Sequence, residues 1–357
     1  MGATKNGNNI NVSGTGNTLA SITSDINDTT FIEETSTDYY VLKGNTTRKI
    51  QVQVNSELII GDPSDPTVSE TLMLDNPFNN RTGLSIYGSL QVYGQTTIDC
   101  LQANTYPRDN YVYSGEVILS GSAGYPVRIN NYGRWRYYNG TTGSYTHTHF
   151  GRVRRSTPGD TFYTATGTVY DVLWTARNCN FGGPSGSATY QRVSPVWMGN
   201  TRQDWGKHIC TFIDCTIANA YYGPNFYGLP AFKMISGSVS NHGSTPYNGS
   251  SDIGPQSYYH QHFKDVRFNN DYNQQQYIIN RNSSEKLRFL FEHCYFDNLN
   301  SSALFRFKTS GPPGRLMMID PHFADPTYEI YANYISEYVN RLPVNVVDAN
   351  NQPMGDA

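Results

Sequence analysis

The sequence predicts an all-β solenoid, in which short strands stack coil upon coil around an apolar core. Two observations carry this prediction: a short phrase recurs along the chain, and its apolar residues fall at fixed positions. The composition agrees, since only 37% of the 357 residues are hydrophobic and 15% are charged, with 32 glycines and 28 tyrosines. Aromatic residues make up 13% of the chain, enough to bury a large surface, so the composition is not that of a disordered protein.

The recurring phrase is clearest in FIDCTI and FEHCYF, which begin at Phe212 and Phe291. Aligned copies define a register position occupied by Cys179, Cys215, Gly237, Val266 and Cys294. Three positions earlier the residues are Ala176, Phe212, Met234, Phe263 and Phe291, and two positions later they are Phe181, Ile217, Val239, Phe268 and Phe296. The register positions are 36, 22, 29 and 28 residues apart, which is typical of solenoid coils with loops of variable length.

The residue immediately before the register position is polar in every copy. It is Asn178, Asp214, Ser236, Asp265 or His293. Alternate residues of a strand share one face, so in an unbroken strand residues three positions apart lie on opposite faces. Here both residues of such a pair are small or apolar and are expected to face the core. A corner must therefore separate two strands, and Asn and Asp suit it because they tolerate left-handed backbone.

Strand–turn–strand coils with small and apolar stacks resemble the right-handed parallel β-helix of pectate-lyase-like proteins and many phage tailspikes. The resemblance covers roughly residues 160–310. It implies an all-β, right-handed parallel β-helix with loop insertions and a short C-terminal capping helix. That helix is expected in ADPTYEIYANYISEYVNRLP, where Asp325 would be the N-cap and Tyr331, Tyr334, Ile335 and Tyr338 form an apolar stripe.

The chain is therefore divided into five predicted segments. They are an N-terminal arm or attachment segment (1–45), N-terminal β coils or a flanking sheet (46–130), the parallel β-helix with aromatic loops (131–315), the capping helix (316–343) and a C-terminal strand or tail (344–357). The tail resembles the opening of small immunoglobulin-like or carboxypeptidase-regulatory-type β modules. We expect it either to pair with a neighbour's sheet edge or to mark a processed or truncated product.

Several residues are candidates for chemistry, although we predict neither a catalytic residue nor a cofactor. Asp214 and Asp265 would share a column and could supply the two carboxylates of a glycosidase, but the corner position explains both structurally. The two His-x-His pairs, His147 with His149 and His260 with His262, could share a metal; plain surface or interface histidines are the alternative. Five cysteines without a signal peptide or a Cys-x-x-Cys pair indicate reduced thiols.

Dense aromatic stretches are candidates for interface or glycan contact, since tyrosine combines a large rigid face with a polar tip. The residues are Trp135, Tyr137, Tyr138, Tyr221, Tyr222, Phe226 and Tyr227. The alternative is that these stretches are loops packed back on the solenoid.

The N-terminal stretch NNINVSGTGNTLASITSDINDTTFIEE resembles the opening of large phage structural proteins, and the composition resembles capsid-decorating, fibre and tail proteins. The resemblance implies a non-enzymatic virion protein, made in the host cytoplasm and exposed on the particle. Expected partners are other virion proteins, itself (with a trimer as one form) and host surface glycan. The alternatives are a tailspike-like polysaccharide-degrading enzyme and a glycan-binding adhesin. A net charge of −3 and the absence of a long apolar run predict neither nucleic-acid binding nor a membrane span.

Overall fold

The computed structural model shows a largely β protein whose short strands stack in a β-solenoid-like arrangement. The structure describes residues 2–44, 48–75, 83–101, 109–129, 134–137, 141–150, 159–160, 162–164, 173–182, 193–194, 197–198, 209–222, 225–227, 231–245, 248–250, 261–269, 279–281, 288–297, 305–307, 314–324 and 335–341. Within them each coil passes through up to three short strands, called here its first, second and third strands, which pair in parallel with their counterparts in the next coil. Two pairs near the N-terminus are antiparallel: Gly2–Asn6 with Asn9–Ser13, and Ile32–Ser36 with Tyr39–Leu42. The prediction of a protein built mostly of β-strands is confirmed.

The first and second strands of the coils join into one 22-stranded sheet, because two long strands, Ile209–Tyr222 and Ala231–Thr245, turn the corner without interruption. The other first strands are Asn17–Thr18, Glu57–Ile60, Ser89–Tyr93, Glu116–Ser120, Thr142–Thr146, Leu173–Arg177, Gln261–Lys264, Arg288–Glu292, Gly314–Ile319 and Ile335–Arg341. The other second strands are Ile32–Ser36, Tyr39–Leu42, Thr71–Asp75, Thr97–Leu101, Val127–Ile129, Thr148–Phe150, Asn180–Gly182, Arg267–Asn269, Tyr295–Asp297 and His322–Phe323.

The third strands form separate sheets. A seven-stranded sheet contains Gly2–Asn6, Asn9–Ser13, Lys49–Val52, Gly83–Ile86, Asp109–Val112, Arg134–Tyr137 and Phe162–Thr164. A five-stranded sheet contains Trp197–Met198, Asn225–Tyr227, Asn248–Ser250, Ile279–Arg281 and Phe305–Phe307, and Gly159–Asp160 pairs with Val193–Ser194.

The core consists of vertical rows of buried side chains, as the repeat predicts. One row runs through the first strands as Ile60, Val92, Leu119, Tyr145, Ala176, Phe212, Met234, Phe263, Phe291 and Met318, all buried. In the second strands Phe150 stacks on Phe181 at 4.9 Å between ring centroids, and Phe268 stacks on Phe296 at 5.3 Å. Stacked rings in adjacent coils bury apolar area and add offset-stacking contacts beyond it.

The register column of the repeat is also confirmed in the described coils. Cys215 pairs with Gly237 across the sheet, and Cys179, Cys215 and Cys294 are free, buried thiols. The Cys215 and Cys294 thiols point at backbone carbonyls, with Cys294 Sγ 3.3 Å from the oxygen of Phe263. These cysteines act as small core residues.

Residues 2–44 pack onto the N-terminal end of the stack, to which they contribute strands and one helix. The helix Leu19–Ile26 begins at the N-cap Thr18, whose side chain and that of Ser21 form a reciprocal capping box. Its buried face carries Leu19, Ile22 and Ile26. The backbone N–H of Ala3 donates to Asp25 Oδ2 at 2.8 Å and ties this helix to the first strand. The attachment role predicted for this segment remains a prediction.

The predicted C-terminal helix is wrong over the part that the structure describes. Ile335–Arg341 is a strand that pairs in parallel with Gly314–Ile319 and extends the sheet by one more coil. Tyrosine, isoleucine and valine favour strands, and pairing with an existing sheet edge outweighs a helical stripe in the local sequence. Asp325, Tyr331 and Tyr334 lie outside the described residues, as does the tail 344–357.

Candidate functional site: the polar corner row and its outer face

The corner between the first and second strands carries one polar residue per coil. We call this set the corner row: His147, Asn178, Asp214, Ser236, Asp265, His293 and Asp320. All seven have left-handed backbone, with φ from 44° to 58°, which confirms the corner predicted from the repeat. His147 and Asp320 extend the row by a coil at each end. Their copies of the phrase, YTHTHF and MIDPHF, carry Thr148 and Pro321 at the register position, which hides them in the sequence.

Corner residues have a backbone role that connects adjacent coils. The N–H of Asn178 donates to the carbonyl of Ile213 in the next coil at 3.0 Å, and the N–H of His293 donates to that of Ile319 at 2.8 Å. The left-handed turn aims each N–H along the stacking direction. Residues that tolerate this backbone are therefore needed here whatever their side chains do.

At the C-terminal end of the corner row, one imidazole lies between two carboxylates. His293 Nδ1 is 3.5 Å from Asp265 Oδ1, and His293 Nε2 is 3.4 Å from Asp320 Oδ2. The three side chains are 43–48% exposed. Such contacts between solvated groups stabilise a protein by less than about 1 kcal/mol each.

The two carboxylates proposed for a glycosidase, Asp214 and Asp265, lie in the same row but not in adjacent coils. Ser236 stands between them, so the two corners are separated by about 10 Å at 4.8 Å per coil. Both residues are exposed. A catalytic role for this pair remains a prediction.

Beside the corner row, on the outer face of the first strands, lies a more enclosed polar cluster of His262, Lys264 and Glu292. Glu292 accepts from Lys264 Nζ at 2.5 Å and lies 3.1 Å from His262 Nε2. The hydrogen bond to Lys264 lowers the pKa of Glu292 and raises that of Lys264. Burial lowers the pKa of His262 despite the adjacent carboxylate. Lys264 and Glu292 each lie two positions before the register residue of their coil. The repeat in the sequence therefore predicts that they are neighbours in adjacent coils.

The described histidines among the metal-ligand candidates each contact a different neighbour, and their role as ligands remains a prediction. His147 Nε2 lies 3.5 Å from the side-chain nitrogen of Asn178, and His149 Nε2 lies 3.2 Å from that of Asn180. His262 contacts Glu292, and His260 lies outside the described residues. Among the residues that the structure describes, no three His, Cys, Asp or Glu side chains are grouped to hold a metal ion.

The aromatic candidates for interface or glycan contact lie largely in strands rather than loops. Trp135 and Tyr137 belong to Arg134–Tyr137, Tyr221 and Tyr222 end the strand Ile209–Tyr222, and Phe226 and Tyr227 belong to Asn225–Tyr227. Tyr138 lies outside the described residues. Their expected contact with a partner or glycan remains a prediction.

Comparison with known proteins gives no relative: no family model, curated protein or solved structure matches the chain. In the part of the chain that is described, no helix has the length and apolar character needed to cross a bilayer.

Proposed function

We propose that the chain is a right-handed parallel β-helix that serves as a non-enzymatic structural component on the surface of a tailed-phage particle. In this role it would decorate the capsid or form part of the tail or a fibre, and it would dock to neighbouring subunits. Right-handed winding is proposed because parallel strands joined by crossover connections are almost always right-handed.

The observation that carries the proposal is the continuous stack of parallel first strands from Asn17–Thr18 to Ile335–Arg341 with its buried rows. Each coil is held by backbone bonds and apolar contacts to the coils on both sides, so stability accumulates along the stack. A stack closed at its N-terminal end by packed residues 2–44 suits a rigid scaffold that must persist outside a cell. The contacts of Glu292 with Lys264 and of His293 with Asp265 and Asp320 support the same proposal, because they join side chains of adjacent coils on the outside of the stack.

The deciding experiment is to locate the chain in purified particles. Particles of the phage that encodes it would be banded on a density gradient and their proteins quantified by mass spectrometry against labelled peptides of this chain. We expect a fixed number of copies per particle that stays constant through a second gradient. A chain recovered only from the lysate, and not from the particles, would contradict the proposal.

A second assay distinguishes the structural role from a polysaccharide-degrading one. The purified chain would be incubated with host capsule or lipopolysaccharide, and new reducing or unsaturated ends would be measured. We expect no release above that of an Asp214→Asn/Asp265→Asn variant. Release by the unaltered chain that this variant lacks would favour a tailspike-like enzyme, while retention of glycan without release would favour an adhesin.

A further inference from the structure

The outer face of the first strands carries a row of side chains that is unusually apolar for a solvated sheet face. We call it the outer ladder: Ile213, Ile235, Lys264, Glu292 and Ile319, one from each of five successive coils. Their pairing is continuous across the sheet. Each follows a buried core residue directly and therefore points away from the core. Three of the five are isoleucines, whereas a face that only meets water normally alternates to polar residues.

The last four positions of the outer ladder, Ile235, Lys264, Glu292 and Ile319, have a charge order that is complementary to its own reverse. From the N-terminal end they read apolar, positive, negative, apolar; Ile213 precedes them, and Arg177 and Arg341 continue the row at its two ends.

A two-fold axis that crosses the stack between Lys264 and Glu292 would invert this order in a second copy. Lys264 would then face Glu292 of the second copy, and Ile235 would face Ile319 of the second copy. Ile213 would face Arg341 of the second copy, and the aliphatic stem of an arginine can cover an apolar residue. A two-fold arrangement with the stacks parallel would instead place Lys264 against Lys264 of the second copy. The repulsion between the two positive charges would weaken that dimer.

We propose that the outer ladder is the contact surface for a second copy of this chain, packed face to face with the two stacks antiparallel. The inference deepens the proposed structural role, because it names the surface and the partner of one docking contact. Lys264 and Glu292 already contact each other within one chain, so the contact would form an alternating quartet of charges flanked by isoleucines on both sides.

The expected affinity of the dimer follows from the area that the outer ladder can bury. Five coils of five-residue strands cover about 20 Å by 16 Å, so roughly 300–400 Å² of each copy would be buried. A stable interface buries about 800 Å² per partner, so we expect a weak dimer in solution, with a micromolar or higher Kd. On a particle, a high local concentration would strengthen so small a contact.

The test is a charge reversal that only contact between two chains can repair. Purified Lys264→Glu and Glu292→Lys chains would be studied separately and as an equimolar mixture by sedimentation velocity up to several hundred micromolar. Each variant alone should dimerise at least about tenfold more weakly than the unaltered chain, because like charges would then meet across the interface. The mixture should recover dimers, since each reversed charge meets its opposite in the other variant.

Matched controls lie on the adjacent face. Arg267 Nε contacts Asp297 Oδ2 at 2.5 Å across one coil step of the second strands. Arg267→Glu and Asp297→Arg should therefore leave dimerisation unchanged. Should either single variant fail to fold by circular dichroism, Ile235→Asp replaces it as the disrupting change. Its control is Ser238→Asp, on the second-strand half of the same long strand.

Three outcomes would overturn the inference: a monomer at all concentrations, a trimer, or a mixture that stays as weak as its components. None of them would bear on the particle-location experiment, so failure of this contact is distinguishable from failure of the proposed function.

Discussion

Gly237 lies beside Cys215 of the preceding coil so closely that a Cβ on the glycine would stand 2.0 Å from the Cys215 carbonyl oxygen. Its backbone is left-handed, with φ of 89°, directly after the left-handed Ser236. Two consecutive left-handed residues at a corner leave glycine as the residue that fits without strain. The repeat suggested a small side chain here; the structure shows that no side chain fits.

We therefore expect Gly237→Ala to lower the free energy of unfolding by at least about 2 kcal/mol, from left-handed strain and the backbone clash together. Urea denaturation followed by circular dichroism measures the change. Gly124→Ala is the control, because a Cβ at Gly124 meets nothing within 4 Å. Equal losses for the two variants would contradict the close approach.

A second prediction concerns the aromatic core. Phe212 is 1% exposed, stacks on Phe181 at 4.9 Å and meets Phe232 edge-on at 5.3 Å. Phe212→Ala should cost about 3–5 kcal/mol, because it leaves a cavity between coils that cannot collapse. Thr211→Ala, on the outward side of the same strand, should cost less than about 1 kcal/mol. A small loss at Phe212 would mean that the row is not a packed core.

The corner row yields a third prediction about backbone rather than charge. Asp214 has φ of 52°, so Asp214→Gly and Asp214→Asn should preserve stability, while Asp214→Val should lose about 1–2 kcal/mol. Thermal unfolding of the three variants ranks them. If glycine and valine proved equally harmful, the Asp214 side chain rather than its backbone would be the important feature.

Stability should fall on acidification in two steps. An unperturbed histidine binds a proton near pH 6.5, whereas the pKa of folded His262 is lowered by burial. The unfolded chain therefore binds more protons than the folded chain below about that pH, and folding loses free energy there. Glu292, whose pKa is lowered by Lys264, adds a loss below its ordinary value of 4.5.

Urea midpoints measured between pH 8 and pH 3.5 check these two steps. His262→Gln should reduce the loss of stability just below about pH 6.5. The lower step should shrink only in part, because Lys264 is the larger cause of the lowered pKa of Glu292 and the contact with His262 the smaller one. Glu292→Gln should flatten the region below pH 4.5. A profile unchanged by His262→Gln would show that this imidazole is not the group that titrates.

The fifth prediction concerns the buried thiols. Burial raises the pKa of Cys294 to about 12, so almost no thiolate is present at neutral pH. Iodoacetamide should leave Cys294 unmodified in the folded chain and modify it fully in urea, as read by peptide mass spectrometry. Rapid modification of Cys294 in the folded chain would contradict its burial in the register column.

Much of the coil could be predicted from the sequence because its determinants are local. The spacing of Phe212, Asp214, Cys215 and Ile217 forces a corner between two strands, and the structure places the left-handed residue at Asp214. Repetition supplied the stacking register, since equivalent positions in successive coils must lie above one another. The contacts of Asp265 with His293 and of Lys264 with Glu292 follow from the same alignment.

Other features depended on pairing between distant segments, which a local pattern does not encode. Ile335–Arg341 had a helical stripe, yet it is a strand because Gly314–Ile319 offers it a sheet edge. The helix Leu19–Ile26 was not predicted from the sequence. A helix of eight residues is not stable by itself, and this one forms because Leu19 and Ile22 pack against the apolar core.

The sequence by itself therefore determined the unit of this protein: two strands, a left-handed corner and an apolar pair that faces inward. The tertiary structure alone decided that Ile335–Arg341 joins the stack as a strand and that Leu19–Ile26 packs as a helix. The physical reason is that a corner is fixed by the backbone preferences of a few adjacent residues. A sheet edge, by contrast, takes whichever segment can satisfy its open hydrogen bonds and bury its side chains, however far away in the chain that segment lies.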